Sequence, residues 1–282
     1  MSMIAHSLDC LGPKGFHRMA YWEWRGPPGA RTVLCVHGLT RNGRDFDALA
    51  EALSARFRVV SPDIAGRGKS EWLSDPADYG YPLYLADMAA LIARLDVTEV
   101  DWVGTSMGGL IGMMLAARPK APIRRMVIND IGPLIAKEGL ARIGSYVGRD
   151  PSFRDLAELE AMLRQVAGSF GPLSDAQWRH LATHSARQKP EGGLGFAYDP
   201  RIGDPFRAAE PGDVDLWPIW DALRCPTLVI RGAESDLLRR ADAEAMTGRG
   251  PRARLVEFPG IGHAPALMAP DQIAAISDFL LG

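Results

Sequence analysis

An α/β fold, with a mostly parallel sheet flanked by helices and a helical insertion, is predicted by three observations. Short β-branched runs alternate with segments whose apolar residues recur at three- and four-residue intervals. Glycine-containing loops close several of those runs. The alternation stops near Gly132 and resumes near Pro226, so a block of different character interrupts it.

RTVLCVH (31–37) is a strand ended by Gly38, and 44–55 then places Phe46, Leu49, Ala50 and Leu53 at helical spacing. FRVVSPD (57–63) precedes a glycine-rich loop and the helical pattern YLADMAALIARL (84–95). EVDWVG (99–104) leads into a small-residue helix, MGGLIGMMLAAR (107–118), and RRMVIND (124–130) is the next strand. Strands alternating with helices imply a parallel sheet covered on both faces.

From Gly132 to about Trp217 there is little strand-like sequence, but LAELEAMLRQVAG (156–168) and DAQWRHLATHSAR (175–187) read as helices, followed by a Gly/Pro-rich segment at 189–205. PTLVIRG (226–232), a helix near 239–247, RLVEFPG (254–260) and QIAAISDFLL (272–281) restore the alternation. The expected organisation is a core of 1–131 and 218–282 interrupted by a helical insertion at 132–217.

A chain of 282 residues buries a substantial core. Its 47% apolar and 23% charged residues exclude a disordered or fibrous class. Lys and Arg total 32 against 34 Asp and Glu, so the basic excess of a nucleic-acid binder is missing. The N-terminus lacks a basic flank followed by an apolar core, and no run of about 18 apolar residues occurs, so a cytoplasmic protein without a membrane anchor is expected. Cys10, Cys35 and Cys225 form no C-x-x-C pair and read as buried reduced thiols.

Gly104-Thr105-Ser106-Met107-Gly108 matches G-x-S-x-G directly between a strand and a helix, the context in which such a turn exposes a nucleophilic serine. Glycines two residues either side let strand and helix pass closely while the serine takes a strained backbone conformation. A serine hydroxyl needs a base and an orienting acid. His263, in PGIGHAPAL between the last strand and the last helix, suits the base. The acid belongs on a strand end between the two; Asp236 in RGAESDLL fits best, Glu234 lies close by, and Asp130 in VINDIGP is an alternative. An oxyanion needs pre-aimed N–H donors, for which Met107 and Leu39 are the candidates, with His37 shaping the Leu39 loop.

In that order, HG at 37–38, DIAGRGKS at 63–70, GTSMGG at 104–109, the acid loop at 232–236 and GH at 262–263 resemble the α/β-hydrolase fold family, in particular members with a helical cap after the sixth strand. The resemblance spans nearly the whole chain and implies a cofactor-independent serine hydrolase acting on a small-molecule substrate, with 132–217 as the cap. A small carboxylic ester or related acyl compound (lactone, thioester, amide) cleaved through an acyl-serine is the expected reaction. Carbon–carbon hydrolysis of ring-fission products is one alternative, although Thr105 stands where those relatives commonly carry asparagine. A ligand receptor retaining the triad is another. A monomer or homodimer is expected.

Other motifs carry less. AGRGKS (65–70) fails the phosphate-loop pattern because Asp63 stands where its first glycine belongs, and the resemblance makes 63–70 a structural loop. His180 and His184 lie at i, i+4 spacing, but the sequence offers no third metal ligand beside them, and no metal is expected. Over 133–217 there are 10 basic and 12 acidic residues, so bulk charge does not select an ionic substrate.

Overall fold

The computed structural model describes residues 3–208 and 212–282. The chain begins with a hairpin that the sequence reading did not anticipate, β1 (Met3–Gly12) and β2 (Gly15–Trp24), paired antiparallel. Polar residues interleave along β1 because one of its faces meets solvent, which hides the strand from a search for apolar runs. Then follow β3 (Thr32–Val36), α1 (Asp47–Leu53), β4 (Arg58–Pro62), α2 (Tyr81–Arg94), β5 (Val100–Thr105), α3 (Met107–Ala116) and β6 (Ile123–Asn129).

Next come β7 (Leu134–Ile135), α4 (Lys137–Tyr146), α5 (Leu156–Val166), α6 (Asp175–Ser185), β8 (Ala186–Gln188), β9 (Leu194–Phe196), α7 (Asp204–Ala208), β10 (Val214–Asp215) and α8 (Trp217–Ala222). The chain ends with β11 (Thr227–Gly232), α9 (Arg240–Gly248), β12 (Arg254–Phe258) and α10 (Pro270–Leu281). The stretch expected to be almost free of strands thus holds four short ones among its described residues, each too brief to leave a periodic pattern.

The eight-stranded sheet runs β1-β2-β4-β3-β5-β6-β11-β12. The β1/β2 and β2/β4 pairs are antiparallel and the remaining pairs parallel. Alternate residues enter different cores, as a period of two requires. Leu34, Val36, Trp102, Met126 and Ile128 pack with α2 and α3, while Val33, Cys35, Val103, Val127 and Ile230 pack with α1 and α10. Of the cysteines, Cys10 and Cys35 are buried and Cys225 is half-buried; all three are free thiols.

The first two turns of α3 are buried on every side, as expected of a helix apolar all round. Its glycines allow this: a side-chain carbon at Gly112 would enter the Trp102 indole, and the indole Nε1 donates to Gly108 C=O at 3.0 Å.

Between β6 and β11 the chain makes a long excursion over the sheet edge. Its two ends meet in a small antiparallel ladder, Ile135 opposite Val214 and Leu134 opposite Asp215. Inside it, Phe153, Leu159, Leu163, Trp178 and Leu181 form a separate apolar cluster that reaches Met268 of the core. Asp155 caps α5, and Ser174 and Gln177 form a reciprocal capping box on α6. No helix among the described residues is long and apolar enough to cross a membrane.

Candidate active site

Parallel strands β3, β5, β6 and β11 all end on the same sheet edge, which is where ligands of open α/β sheets bind. Ser106 follows β5 directly and takes φ +50°, ψ −114°, a conformation sparsely populated by non-glycine residues. The surroundings hold it there. Ser106 N–H donates to Asn129 C=O at 2.9 Å, and Leu110 N–H to Ser106 C=O at 3.1 Å. A side-chain carbon at Gly104 would meet the Gly108 backbone, and one at Gly108 the Val36 carbonyl, so both flanking glycines are steric requirements.

His263 lies on the loop after β12. Its Nε2 is 3.0 Å from Ser106 Oγ, and its Nδ1 is 2.8 Å from Asp130 Oδ2. With the Nδ1 proton donated to the carboxylate, Nε2 is free to accept from the hydroxyl. Asn129 fixes this loop by donating from Nδ2 to Thr105 Oγ1 at 3.0 Å and to Pro265 C=O at 2.9 Å. From the excursion, Ser169 Oγ donates to His263 C=O at 2.9 Å, and Ser169 C=O accepts from Gly262 N–H at 2.8 Å.

The acid preferred from sequence is the one the structure does not bring to the site. Asp236 is largely exposed and pairs with Arg142 of α4 at 2.6 Å. Asp130, the alternative, is fully buried beside His263. The reason is register. Thr105 and Asn129 are direct neighbours on β5 and β6, so the residue after each emerges side by side at the sheet edge. The β11 loop supports that carboxylate instead: Gly232 N–H donates to Oδ1 at 2.8 Å and Ser235 Oγ to Oδ2 at 2.6 Å.

The loop at 37–39 runs beside the elbow, with the space where a Gly38 side chain would begin only 3.7 Å from Ser106 Cβ. His37 is structural there. Ile64 N–H donates to its Nε2 at 2.9 Å, so Nδ1 carries the proton and donates to Gly38 C=O at 2.7 Å. Burial pulls its pKa down to about 4, which keeps the ring neutral.

Residues 63–70 form a structural loop. Asp63 accepts from Gly43 N–H at 2.7 Å and Lys69 N–H at 2.8 Å, and a side chain at Gly68, where φ is +57°, would strike it. Burial raises the Asp63 pKa to about 6 despite these bonds.

Two groups escaped the sequence reading. Arg67 is fully buried and donates from Nε to Leu39 C=O at 2.9 Å and from Nη1 to Tyr84 Oη at 2.8 Å, while its Nη2 touches Met107 Sδ at 3.8 Å. One guanidinium therefore ties the 37–39 loop to the start of α3. Its signal was an arginine between two glycines in a loop where small residues predominate. Arg41 lines the cleft beside Ser106, and in the sequence nothing but its i, i+4 spacing to Asp45 marks it, a spacing common to ordinary surface pairs.

The third ligand that the sequence did not offer to His180 and His184 is Asp47, whose carboxylate lies with them within 4.8 Å. That carboxylate already carries the Arg44 guanidinium, at 2.5 Å, which opposes a second cation there. His180 Nε2 instead donates to Arg44 C=O at 2.9 Å, docking α6 on the turn at 43–46.

Known proteins agree with this architecture. A 3-hydroxybutyrate-oligomer hydrolase from Cupriavidus necator is 47% identical over 98% of this chain and 97% of its own length. An alpha/beta hydrolase from Novosphingobium aromaticivorans superposes with TM-score 0.87 at 39% identity, covering 98% of each chain. A crystal structure from Rickettsia typhi does so with TM-score 0.91 at 32% identity, covering 100% of this chain and 99% of that one. The model of the alpha/beta hydrolase family matches residues 33–276, and the chain belongs to that family of enzymes as a hydrolase.

Proposed function

We propose that the protein is a serine esterase that cleaves short oligoesters of 3-hydroxybutyrate, with Ser106 as nucleophile, His263 as base and Asp130 as orienting acid. The observation that carries the reading is the continuous relay Ser106 Oγ–His263–Asp130, at 3.0 and 2.8 Å, on the sheet edge. The substrate class follows from the 47% identity to a protein of that activity over nearly the full length of both chains.

In this mechanism His263 Nε2 takes the Ser106 proton as Oγ attacks the ester carbonyl. Asp130, held by two further donors, stabilises the resulting imidazolium and its tautomer. The N–H groups of Leu39 and Met107 receive the oxyanion, and Arg67 keeps their two segments at a fixed separation. The tetrahedral intermediate collapses with loss of the alkoxide, which takes the proton from His263 and leaves as the hydroxy acid. Water, deprotonated by His263, then attacks the acyl-serine and returns the enzyme to its starting state. Residues 132–217 serve as the cap, with Phe170 and Leu181 roofing the cleft.

The test is release of 3-hydroxybutyrate from its linear dimer, with Ser106→Ala as control. Turnover is expected, with kcat falling roughly 10⁴- to 10⁶-fold in the variant. Equal rates in the two proteins would overturn the nucleophile. A wild-type enzyme inert towards both the dimer and simple p-nitrophenyl esters would turn the reading towards a receptor.

A further inference from the structure

The cleft beside Ser106 has a polar end that the hydrolytic chemistry leaves unused. It is lined by Gly38 and Thr105 next to the elbow, by Phe170, Leu181 and Ala266 from the surrounding apolar wall, and at one side by Arg41 with Asp45. Among these lining residues Arg41 alone carries a full positive charge, since burial keeps His37 neutral.

Asp45 grips one edge of the Arg41 guanidinium, accepting from Nε at 2.7 Å and from Nη2 at 2.7 Å. Arg41 Nη1 has no partner among the described residues, and this leaves the end-on edge, the second of the two edges with which arginine binds carboxylates in pairs of hydrogen bonds. The pair is largely buried, at 11% and 18% exposure, so the fork is held in one orientation. The Arg41 stem and Ser106 flank the same glycine: the point where a Gly38 side chain would begin is 3.9 Å from Arg41 Cγ and 3.7 Å from Ser106 Cβ. Both the arginine and the glycine beside the serine line the same cleft.

We propose that Arg41, aimed by Asp45, anchors the terminal carboxylate of the substrate, so that the enzyme cleaves the ester bond one hydroxy-acid unit in from the carboxyl end. The inference rests on the oligoester reading of the same site and adds a direction to it. In a linear oligo(3-hydroxybutyrate) the free carboxylate always lies on the leaving-group side of the last ester. Arg41 therefore selects the unit that departs as the hydroxy acid, leaving the rest of the chain on Ser106. No bond is formed or broken at Arg41, and its contribution is an ion pair with two hydrogen bonds.

The experiment compares kcat/KM for the linear dimer as free acid and as methyl ester, in wild type, Arg41→Gln and Arg41→Lys. Wild type is expected to favour the acid by roughly ten- to a hundredfold, the size of one charge-assisted pair in a partly desolvated site. That preference should collapse towards parity in Arg41→Gln. Arg41→Lys retains a charge opposite Asp45 but not the fork, and should keep only part of the preference. No preference in wild type, or an undiminished one in Arg41→Gln, overturns the anchor.

If neither dimer is turned over while p-nitrophenyl acetate is hydrolysed in a Ser106-dependent way, the oligoester reading fails by itself. The subsite is then decided by inhibition of p-nitrophenyl acetate hydrolysis by free 3-hydroxybutyrate, with its methyl ester as control. Inhibition by the acid alone, weakened roughly tenfold or more in Arg41→Gln, supports the anchor. Equal inhibition by acid and ester, or none, overturns it.

Discussion

The sheet edge and the excursion above it are held by different forces. At the edge, the side chains of the proposed triad are fixed largely by backbone groups: Asn129 C=O receives Ser106 N–H and Gly232 N–H supports Asp130, while Ser169 of the excursion holds the His263 loop. In the excursion, a small apolar cluster is joined by residues that enter the main core, such as Ile143, Tyr198 and Ile202, and by charged pairs with exposed members, such as Arg142–Asp236 and Arg164–Asp175. Exposed pairs of that kind contribute about 0–1 kcal/mol each. The contrast teaches that the geometry at the edge is built chiefly into strand register, whereas the excursion draws more on side-chain packing and exposed ion pairs.

The two aspartates break that contrast most sharply. Asp130→Asn preserves shape but loses the carboxylate that holds the His263 tautomer, and kcat is expected to drop by roughly 10³- to 10⁴-fold. Asp236→Asn touches only the exposed pair to Arg142 and should change kcat/KM by no more than about twofold. Steady-state kinetics on one ester settles it, and loss of activity in Asp236→Asn alone would reverse the assignment of the acid.

Leu163→Ala probes the roof. Leu163 is 3% exposed in the cluster with Leu159, Trp178 and Leu181. Truncation should cost about 2–5 kcal/mol of local stability. If the roof is separable from the edge, KM for the dimer should rise while Ser106 still reacts with a small fluorophosphonate at close to the wild-type rate. Parallel loss of both would show that the edge depends on the roof.

The smallest effect is in pH. Burial, with Arg44 and His180 beside it, lowers the His184 pKa from 6.5 to about 4. A histidine favoured in its neutral form when folded contributes stability above its unfolded value, and that contribution is lost as pH falls from 6.5 through about 4. The melting temperature should therefore fall on acidification across that window, and less steeply in His184→Asn. Coincident slopes would remove His184 from the docking of α6. His37, with its own pKa at about 4, acts in the same direction and persists in that variant.

Ser106 and His263, which the structure brings together, were legible because each stands in a local pattern: a serine between glycines at a strand–helix junction, and a histidine after the last strand. Asp130 as the partner of His263 was not, because Asp130 and Asp236 each follow a strand and each satisfy the order serine, acid, histidine. What separates them is which strand neighbours β5 and which way the β11 loop folds, and both are properties of the assembled sheet. Arg67 and Arg41 escaped for a related reason. A buried arginine becomes recognisable only when the carbonyls around it are assembled. An i, i+4 ion pair reads as solvated surface until an apolar cleft is seen beside it. The first strand, β1, amphipathic at the sheet margin, lacked the apolar runs by which the inner strands announced themselves.

The two-residue ladder of β7 and β10 makes the excursion a closed loop in the sense of polymer physics. The chain leaves and returns at one point, so the sheet does not register how much polypeptide lies between. Doubling the length of such a loop costs only about 0.6 kcal/mol in closure entropy. The segment from Leu134 to Asp215 is closed at its base by this ladder, and further along it is tied to the core where Gly68 N–H donates to Ala197 C=O at 2.7 Å and Asp199 N–H to Gly66 C=O at 2.8 Å. A relative's excursion spliced at Ile135 and Val214 would bring a new roof to the same sheet edge, provided it carries its own equivalents of the Ser169 grip on the histidine loop and of the Ala197 and Asp199 bonds to the 66–68 loop.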